Sequence, residues 1–259
     1  SAGALGASFF GRLPLDLLAD ETVTLQSQNW DTGQVSHLLP TVNDSQILLK
    51  VSFERPLISA PMLQVGNRSV QGSMNDTTGS FWQFYVTNLE SDHRYELALF
   101  TNTGQALCEP WPLTTFPSPE NSPQRFRLLF FTCAGGPGGS YSGIGRRNGF
   151  LPTYIRHQIL QRALSFEPNA AVANGDHIYW DLHTWLGDNV GELSERGRES
   201  DFNFSDSPFS LTNEAAMKAA AGSQIVPVYG SAFRSTPVFF LQDDHDHWEN
   251  DAATDEIVN

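Results

Sequence analysis

A-A-V-A-N-G-D-H-I-Y-W-D, Ala170 to Asp181, is an apolar run too short for a helix. It breaks at Asn174-Gly175 and then delivers an acid, an imidazole, a phenol and a second acid. A buried strand of an open α/β sheet ends this way where it meets a site. Ligands of such sheets bind beyond the carboxyl ends of the strands, which places Asp176 and Tyr179 at the rim of a pocket. Glycine at 175 lets the backbone turn sharply enough for a carboxylate to approach a metal. Taken alone, the stretch reads equally well as a strand-to-loop turn with a solvated Asp and a packed Tyr.

The flanking sequence repeats the pattern. Upstream, Phe126 to Phe131 (F-R-L-L-F-F) reads as a buried strand ending at Thr132-Cys133-Ala134. The glycine-rich loop G-G-P-G-G-S-Y-S-G-I-G follows, where Ser140, Tyr141 and free backbone N–H groups could meet an anion. It lacks the Gly-Lys-Ser/Thr of a P-loop. Pro152 suits a helix start, and Ile155, Ile159 and Ala163 with Leu160 and Leu164 give that helix an apolar face, completing a βαβ unit. Downstream, Thr184 to Leu211 is polar and acidic and reads as a long excursion over the pocket. Asn213 is expected to cap a short helix ended by Gly222. Pro237 to Leu241 reads as a third buried strand, running into Q-D-D-H-D-H-W-E-N-D at 242 to 251. Three apolar strands thus each deliver metal-competent residues at their ends.

Residues 1 to 120 have a different grammar. Gln46 to Phe53, Met62 to Val65, Phe81 to Leu89 and Tyr95 to Thr101 are short runs of β-branched and aromatic residues, punctuated by Gly, Asn, Asp and Pro. Strands at this spacing, with no helical period between them, predict an all-β sandwich. The segment V-T-N-L-E-S-D-H-R-Y-E-L-A-L-F resembles the later strands of a fibronectin type III-like domain. The Pro-rich stretch Phe116 to Pro123 then reads as a connector between a β-sandwich domain, 1–120, and an α/β domain, 121–259.

Composition narrows the function. The 259 residues carry a formal charge of -14 and no cluster of Lys and Arg, which argues against a broad nucleic-acid surface. Phosphate esters would have to be met by locally bound cations. Two cysteines, Cys108 and Cys133, allow no disulfide framework, and no apolar run has the length of a membrane span. The four Asn-x-Ser/Thr sequons, at Asn43, Asn67, Asn75 and Asn203, matter only in a eukaryotic secretory pathway.

The donor types suggest the cations. Asp176 can bridge two ions and Asp244 can hold one of them; hard oxygen donors suit calcium, magnesium, manganese or iron. A phenolate from Tyr179 and a thiolate from Cys133 must both lose protons to bind, which points toward ferric iron. Zinc takes thiolate but suits a Tyr ligand less well.

Cys133 at a strand end, G-D-H-I-Y at 175 to 179 and D-D-H-D at 243 to 246 stand in one order behind a β-rich half. In this the chain resembles PhoD-like members of the calcineurin-like metallophosphoesterase superfamily, related through Gly-Asp-x-x-Tyr to purple acid phosphatases. D-D-H-D stands where D-D-H-E is more usual. The resemblance implies a partial α/β/β/α sandwich after the β domain, and hydrolysis of a small phosphomonoester or phosphodiester. It implies Fe(3+) held by Cys133, Asp176 and Tyr179, with Ca(2+) or another divalent ion on Asp176 and Asp244. It also implies catalytic His245 beside the scissile phosphate, and an extracellular, periplasmic or cell-surface setting. His177 is read as a core or rim histidine in preference to a substrate contact; Asp243, Asp246 and Asn250 are candidates to orient ligands or touch substrate. The family continues past this motif with further Asp and His ligands, so a C-terminal continuation or second chain is expected to complete the site, and these residues alone to turn over little. The rival reading is a non-catalytic extracellular binding or assembly module on a degenerate or truncated phosphoesterase scaffold.

Overall fold

The computed structural model describes Trp30 and residues 33–136, 151–179, 203, 205–207, 210–243 and 246. The chain divides into Ser1–Trp30, of which only Trp30 is described, and one compact unit, Asp31–Asn259. In that unit the first sheet has the order β1-β2-β6-β5, from β1 (Val35–Val42), β2 (Ile47–Phe53), β5 (Ser73–Met74) and β6 (Phe81–Val86). The second has the order β4-β3-β7-β8, from β3 (Met62–Val65), β4 (Arg68–Gln71), β7 (Arg94–Phe100) and β8 (Trp111–Thr114). All pairs in both are antiparallel. Alternate residues are buried, Leu49, Val51, Trp82 and Phe84 in one sheet and Leu63, Val65, Leu97, Leu99, Trp111 and Leu113 in the other. That is the period-2 burial of sheets with one face on a core.

Four of these strands, β1, β4, β5 and β8, were not legible in sequence. Two of them contain proline, Pro40 in β1 and Pro112 in β8. Proline demotes a strand reading because it cannot donate to the ladder, and both strands lie at sheet edges, where a missing donor is tolerated.

The third sheet, order β11-β10-β9, is parallel throughout and joins β9 (Leu128–Phe131), β10 (Ala170–Asn174) and β11 (Val238–Leu241). The A-A-V-A run is therefore its central strand. Ala171 and Ala173 are small enough for Val228, Tyr229 and Phe233 to pack closely over them, with Val238 and Leu160 completing the cluster. The expectation of three buried strands holds best for β10, from Ala170 to Ala173: Leu128 and Phe130 of β9 are 48% and 64% exposed, and Leu241 of β11 is 52% exposed.

Helix α1 (Thr153–Leu164) begins after Pro152 as the sequence predicts, but it is rotated. Arg156 and Leu160 face inward while Ile159 is exposed. Helix α2 (Leu211–Tyr229) is far longer than expected: its cap is Ser210, whose hydroxyl accepts from Asn213 N, and it runs through Gly222 and Pro227 to Gly230. Tertiary packing of its Val228 and Tyr229 outweighs the local cost of glycine and proline.

The antiparallel sheets are tied to the parallel one. Leu38 N donates to Gly230 O at 3.0 Å, Thr41 Oγ1 donates to Val238 O at 3.0 Å, and Leu39 packs on the core under β10. The proline-rich stretch joins in, with the Phe116 ring 5.6 Å from Phe126 and 6.0 Å from Phe239.

These contacts predict an acid-sensitive fold. Burial lowers His37, opposite Ser52 in the β1–β2 pair, to about 4. Asp76 feels burial, which raises its carboxyl, but Lys218, Thr78 and backbone N–H groups hold it well below the usual range. Both folded values lie below the unfolded ones, so both stabilise fully only above the unfolded pKa, roughly 6.5 for His and 3.9 for Asp. Urea unfolding midpoints should fall first between about pH 6.5 and 4, a step that His37→Leu removes, and again below about pH 4. A flat profile from pH 7 to 4 would contradict this reading of His37.

Candidate metal centre

The parallel register brings the strand ends level. Ala173 pairs with Phe131 and Asn174 with Leu241, so the loops after β9, β10 and β11 leave one edge together. Cys133 N donates to Gly175 O at 3.3 Å, Gly135 N to Asp176 O at 2.8 Å and Gly175 N to Leu241 O at 3.1 Å, lacing the three loops. At their meeting point the Cys133 thiol and the Tyr179 hydroxyl both donate to one oxygen, Asp176 Oδ2, each at 3.1 Å. The other oxygen, Asp176 Oδ1, is buried with no hydrogen-bond partner among the described residues. Neither cysteine is in a disulfide; Cys108 is buried and Cys133 exposed.

The backbone is strained here. Cys133 has φ 53 and Asp176 φ 57, left-handed values that a side chain rarely adopts outside glycine and Asn or Asp. For Cys133 the conformation costs on the order of 1–3 kcal/mol and persists only where its surroundings impose it, whereas an aspartate such as Asp176 adopts it more readily. Gly175 has φ +79, and a Cβ there would stand 2.4 Å from Asp243 Cβ, so no other residue lets the loops after β10 and β11 approach this closely. Gly135 is held likewise, its notional Cβ 2.4 Å from His177 O.

Protonation follows from the setting. Burial raises the Cys133 thiol, and the Asp176 carboxylate raises it further against the opposing bond from Thr132. Burial also raises the Tyr179 phenol well above its ordinary range, helped by the charges of Asp176 and Cys133. Thiol and phenol thus keep their protons at neutral pH when only Asp176 faces them.

Asp246 and His177 lock the rim. Asp246 Oδ1 accepts from His177 N at 2.7 Å and Ile178 N at 2.9 Å, and its Oδ2 accepts from Asp243 N at 3.1 Å. The His177 ring donates from Nε2 to Leu241 O at 2.9 Å and accepts at Nδ1 from Tyr229 OH at 3.3 Å. Its ring meets Phe240 edge-on. Both ring nitrogens are therefore engaged by protein groups. Asp244, His245 and Asn250 lie outside the described residues, as do the glycine-rich loop beyond Gly136 and residues 184–202 of the excursion from Thr184 to Leu211.

Two residues that sequence reasoning missed hold the loops. Arg156, 7% exposed, donates from Nε to Leu151 O at 2.9 Å, from Nη1 to Ala134 O at 2.7 Å and to Gly135 O, and from Nη2 to Gly136 O at 2.9 Å. Gln224 Oε1 accepts from Gly136 N and Tyr179 N, both at 2.8 Å. Neither position had a signal: an arginine on an amphipathic helix reads as solvated, and Gln224 stood beyond the expected helix end.

No protein-family model matches the chain, and no curated protein matches it. Among solved structures, the purple acid phosphatase PPD1 from yellow lupin (Lupinus luteus) seeds is similar, with a TM-score of 0.50 and 12% identity over 83% of this chain. The likeness is one of fold. A structure of PhoD aligns with a TM-score of 0.49 and 16% identity over 88% of this chain. The chain spans 36% of the lupin phosphatase and 41% of PhoD. Among the described residues, no helix is long and apolar enough to cross a membrane, and no three His, Cys, Asp or Glu side chains gather as a metal site. The cluster reaches three donors only by counting the phenol of Tyr179.

Proposed function

We propose that the chain is a metal-dependent phosphoester hydrolase of the PhoD-like kind within the calcineurin-like metallophosphoesterases, with a fibronectin type III-like β domain over residues 1–120 and the catalytic domain over 121–259. One observation carries the reading: a buried carboxylate with one unpartnered oxygen and, on the other, the protons of a thiol and a phenol. Three anionic donors that share two protons in the absence of a cation are a set that fits a trivalent cation, which displaces both protons when it binds. Cys133, Asp176 and Tyr179 would hold ferric iron, and Asp176 with Asp244 a divalent ion such as calcium. When bound, the cations neutralise phosphate charge and acidify water.

The chain's own residues do the rest. Asp176, at 9% exposure, sits where water is largely excluded and every charge interaction is strengthened. Asp246, through the N–H groups of His177 and Ile178, holds the loop between Asp176 and Tyr179. His245 would donate a proton to the leaving oxygen. The strained φ of Cys133 weighs against the rival reading, because a purely adhesive module gains nothing from holding a thiol in a costly conformation.

The test is nitrophenol release from p-nitrophenyl phosphate and its bis ester by iron- and calcium-loaded protein. Hydrolysis should be lost on chelation and restored on reloading. His245→Ala should retain the metals and slow alkyl esters by about a hundredfold, with a smaller loss for nitrophenyl esters, which hardly need a proton. These residues alone are expected to turn over little, so the control is the Asp176→Asn variant: loaded protein that takes up no iron and cleaves these esters no faster than that variant would refute the reading.

A further inference from the structure

We propose that Gln224 is a positioning residue for the Cys133 and Tyr179 loops, and that the antiparallel sheets hold it there through a polar latch on α2. The consequence for iron rests on the metal-site reading above; the clamp itself does not.

Gln224 is 6% exposed, and one of its atoms joins two loops. Oε1 takes the N–H of Gly136, three residues past Cys133, and the N–H of Tyr179 itself. Both lone pairs of that oxygen are then in use. Where α2 stands therefore bears on the separation of Gly136 and Tyr179, beside the direct backbone bonds that lace the two loops.

α2 is in turn fixed by the strand half of the chain. In the loop before β6, Asp76 accepts from Gly79 N at 2.9 Å, Ser80 N at 3.0 Å, Thr78 Oγ1 at 2.7 Å and the ammonium of Lys218. Glu214, one turn before Lys218, accepts from Thr77 N at 3.1 Å, from Thr77 Oγ1 at 3.0 Å and from the same ammonium. The Asp76 side chain is 4% exposed and that of Lys218 22%. This is a part-buried triad, whose disruption costs far more than loss of a surface pair because two carboxylates are left facing each other. The far end of α2 is held by Leu38 N on Gly230 O. Lys218 and Gln224 are six residues apart, about 9 Å along the axis and roughly 240° around it, so latch and clamp lie on different sides of the helix. α2 is the beam between them, and the antiparallel sheets become part of the site's frame.

Amide hydrogen exchange of the metal-free protein reads the clamp directly. Gln224→Met removes the acceptor at similar volume and should speed exchange at Gly136 and Tyr179 by about tenfold or more, while amides within β2 and β10 keep wild-type rates. Gln224→Glu keeps the acceptor but loses the 3.4 Å bond from Nε2 to Tyr179 O, and should restore protection at Gly136 fully and at Tyr179 in part. Lys218→Met, remote from both amides, should raise their exchange by a smaller factor and also expose Gly79 and Ser80. Wild-type rates at Gly136 and Tyr179 in Gln224→Met would overturn the clamp, and a Lys218→Met effect confined to residues 76–80 would overturn the latch. If Gln224→Met does not fold, loss of protection at Gly136 in Gln224→Glu would also overturn the clamp. Iron affinity should fall about 10- to 100-fold in Gln224→Met and recover in Gln224→Glu. If the amides respond while no variant, nor the wild type, takes iron, the clamp stands and the metal reading falls.

Discussion

Asp176→Asn should give a folded chain that has lost its metals. The amide keeps the shape of the carboxylate and still offers an oxygen to the Cys133 thiol and the Tyr179 hydroxyl, so the loops have no reason to move. Oδ1, however, is buried without a partner among the described residues, and on the proposed reading it is the oxygen left for a cation. The amide N–H2 that takes its place is itself left without an acceptor, so one unsatisfied buried group replaces another, and the change in the metal-free state should stay within about 1–3 kcal/mol. The variant should therefore unfold at a urea concentration close to that of metal-free wild type, while iron and calcium content fall more than a hundredfold, beyond the usual loss from changing a residue that only supports a ligand. Retained metal would remove Asp176 from the bridging position; a marked loss of stability would mean that the carboxylate is structural.

Arg156→Met should produce the largest loss of stability. Its guanidinium is buried against four carbonyl oxygens, and three of them, Ala134, Gly135 and Gly136, belong to the loop that begins at Cys133. Burial lowers the pKa of the group, with the nearby Tyr179 and Tyr229 opposing the shift. Methionine fills the space of the stem and offers no donor, so the carbonyls lose their partners in a place water does not readily reach. About 3–5 kcal/mol should be lost, a fall in Tm on the order of 10 °C for a unit of this size. Arg156→Lys keeps the charge but not the planar fork and should fall in between. Loss of less than about 1 kcal/mol in thermal or urea unfolding would show that the loop is held by its other contacts.

The sequence carried the site where chemistry and chain direction coincide. Gly175-Asp176 and Tyr179 follow an apolar run, and Cys133 follows another, so strand ends and donors could be read together; the cluster at Asp176 Oδ2 unites these residues. What could not be read depends on long-range partners. Arg156 looks like a solvent residue until the carbonyls of residues 134–136 are brought beside it, and the turn of α1 that does so also exposes Ile159. Gly222 looks like a helix end until Val228, Tyr229 and Phe233 are seen to need the rest of α2 over Ala171 and Ala173. Pro40 and Pro112 hid two strands whose edge positions only the sheet order reveals.

Visible absorption with metal analysis of the iron-loaded protein tests the central claim most directly. If Cys133, Asp176 and Tyr179 hold ferric iron, the protein should contain stoichiometric iron and show a phenolate-to-iron charge-transfer band. Tyr179→Phe should bleach that band, Cys133→Ser should weaken iron binding, and Cys108→Ser should change neither. A protein that stays colourless and iron-free under these conditions, or a band that survives Tyr179→Phe, would contradict the account.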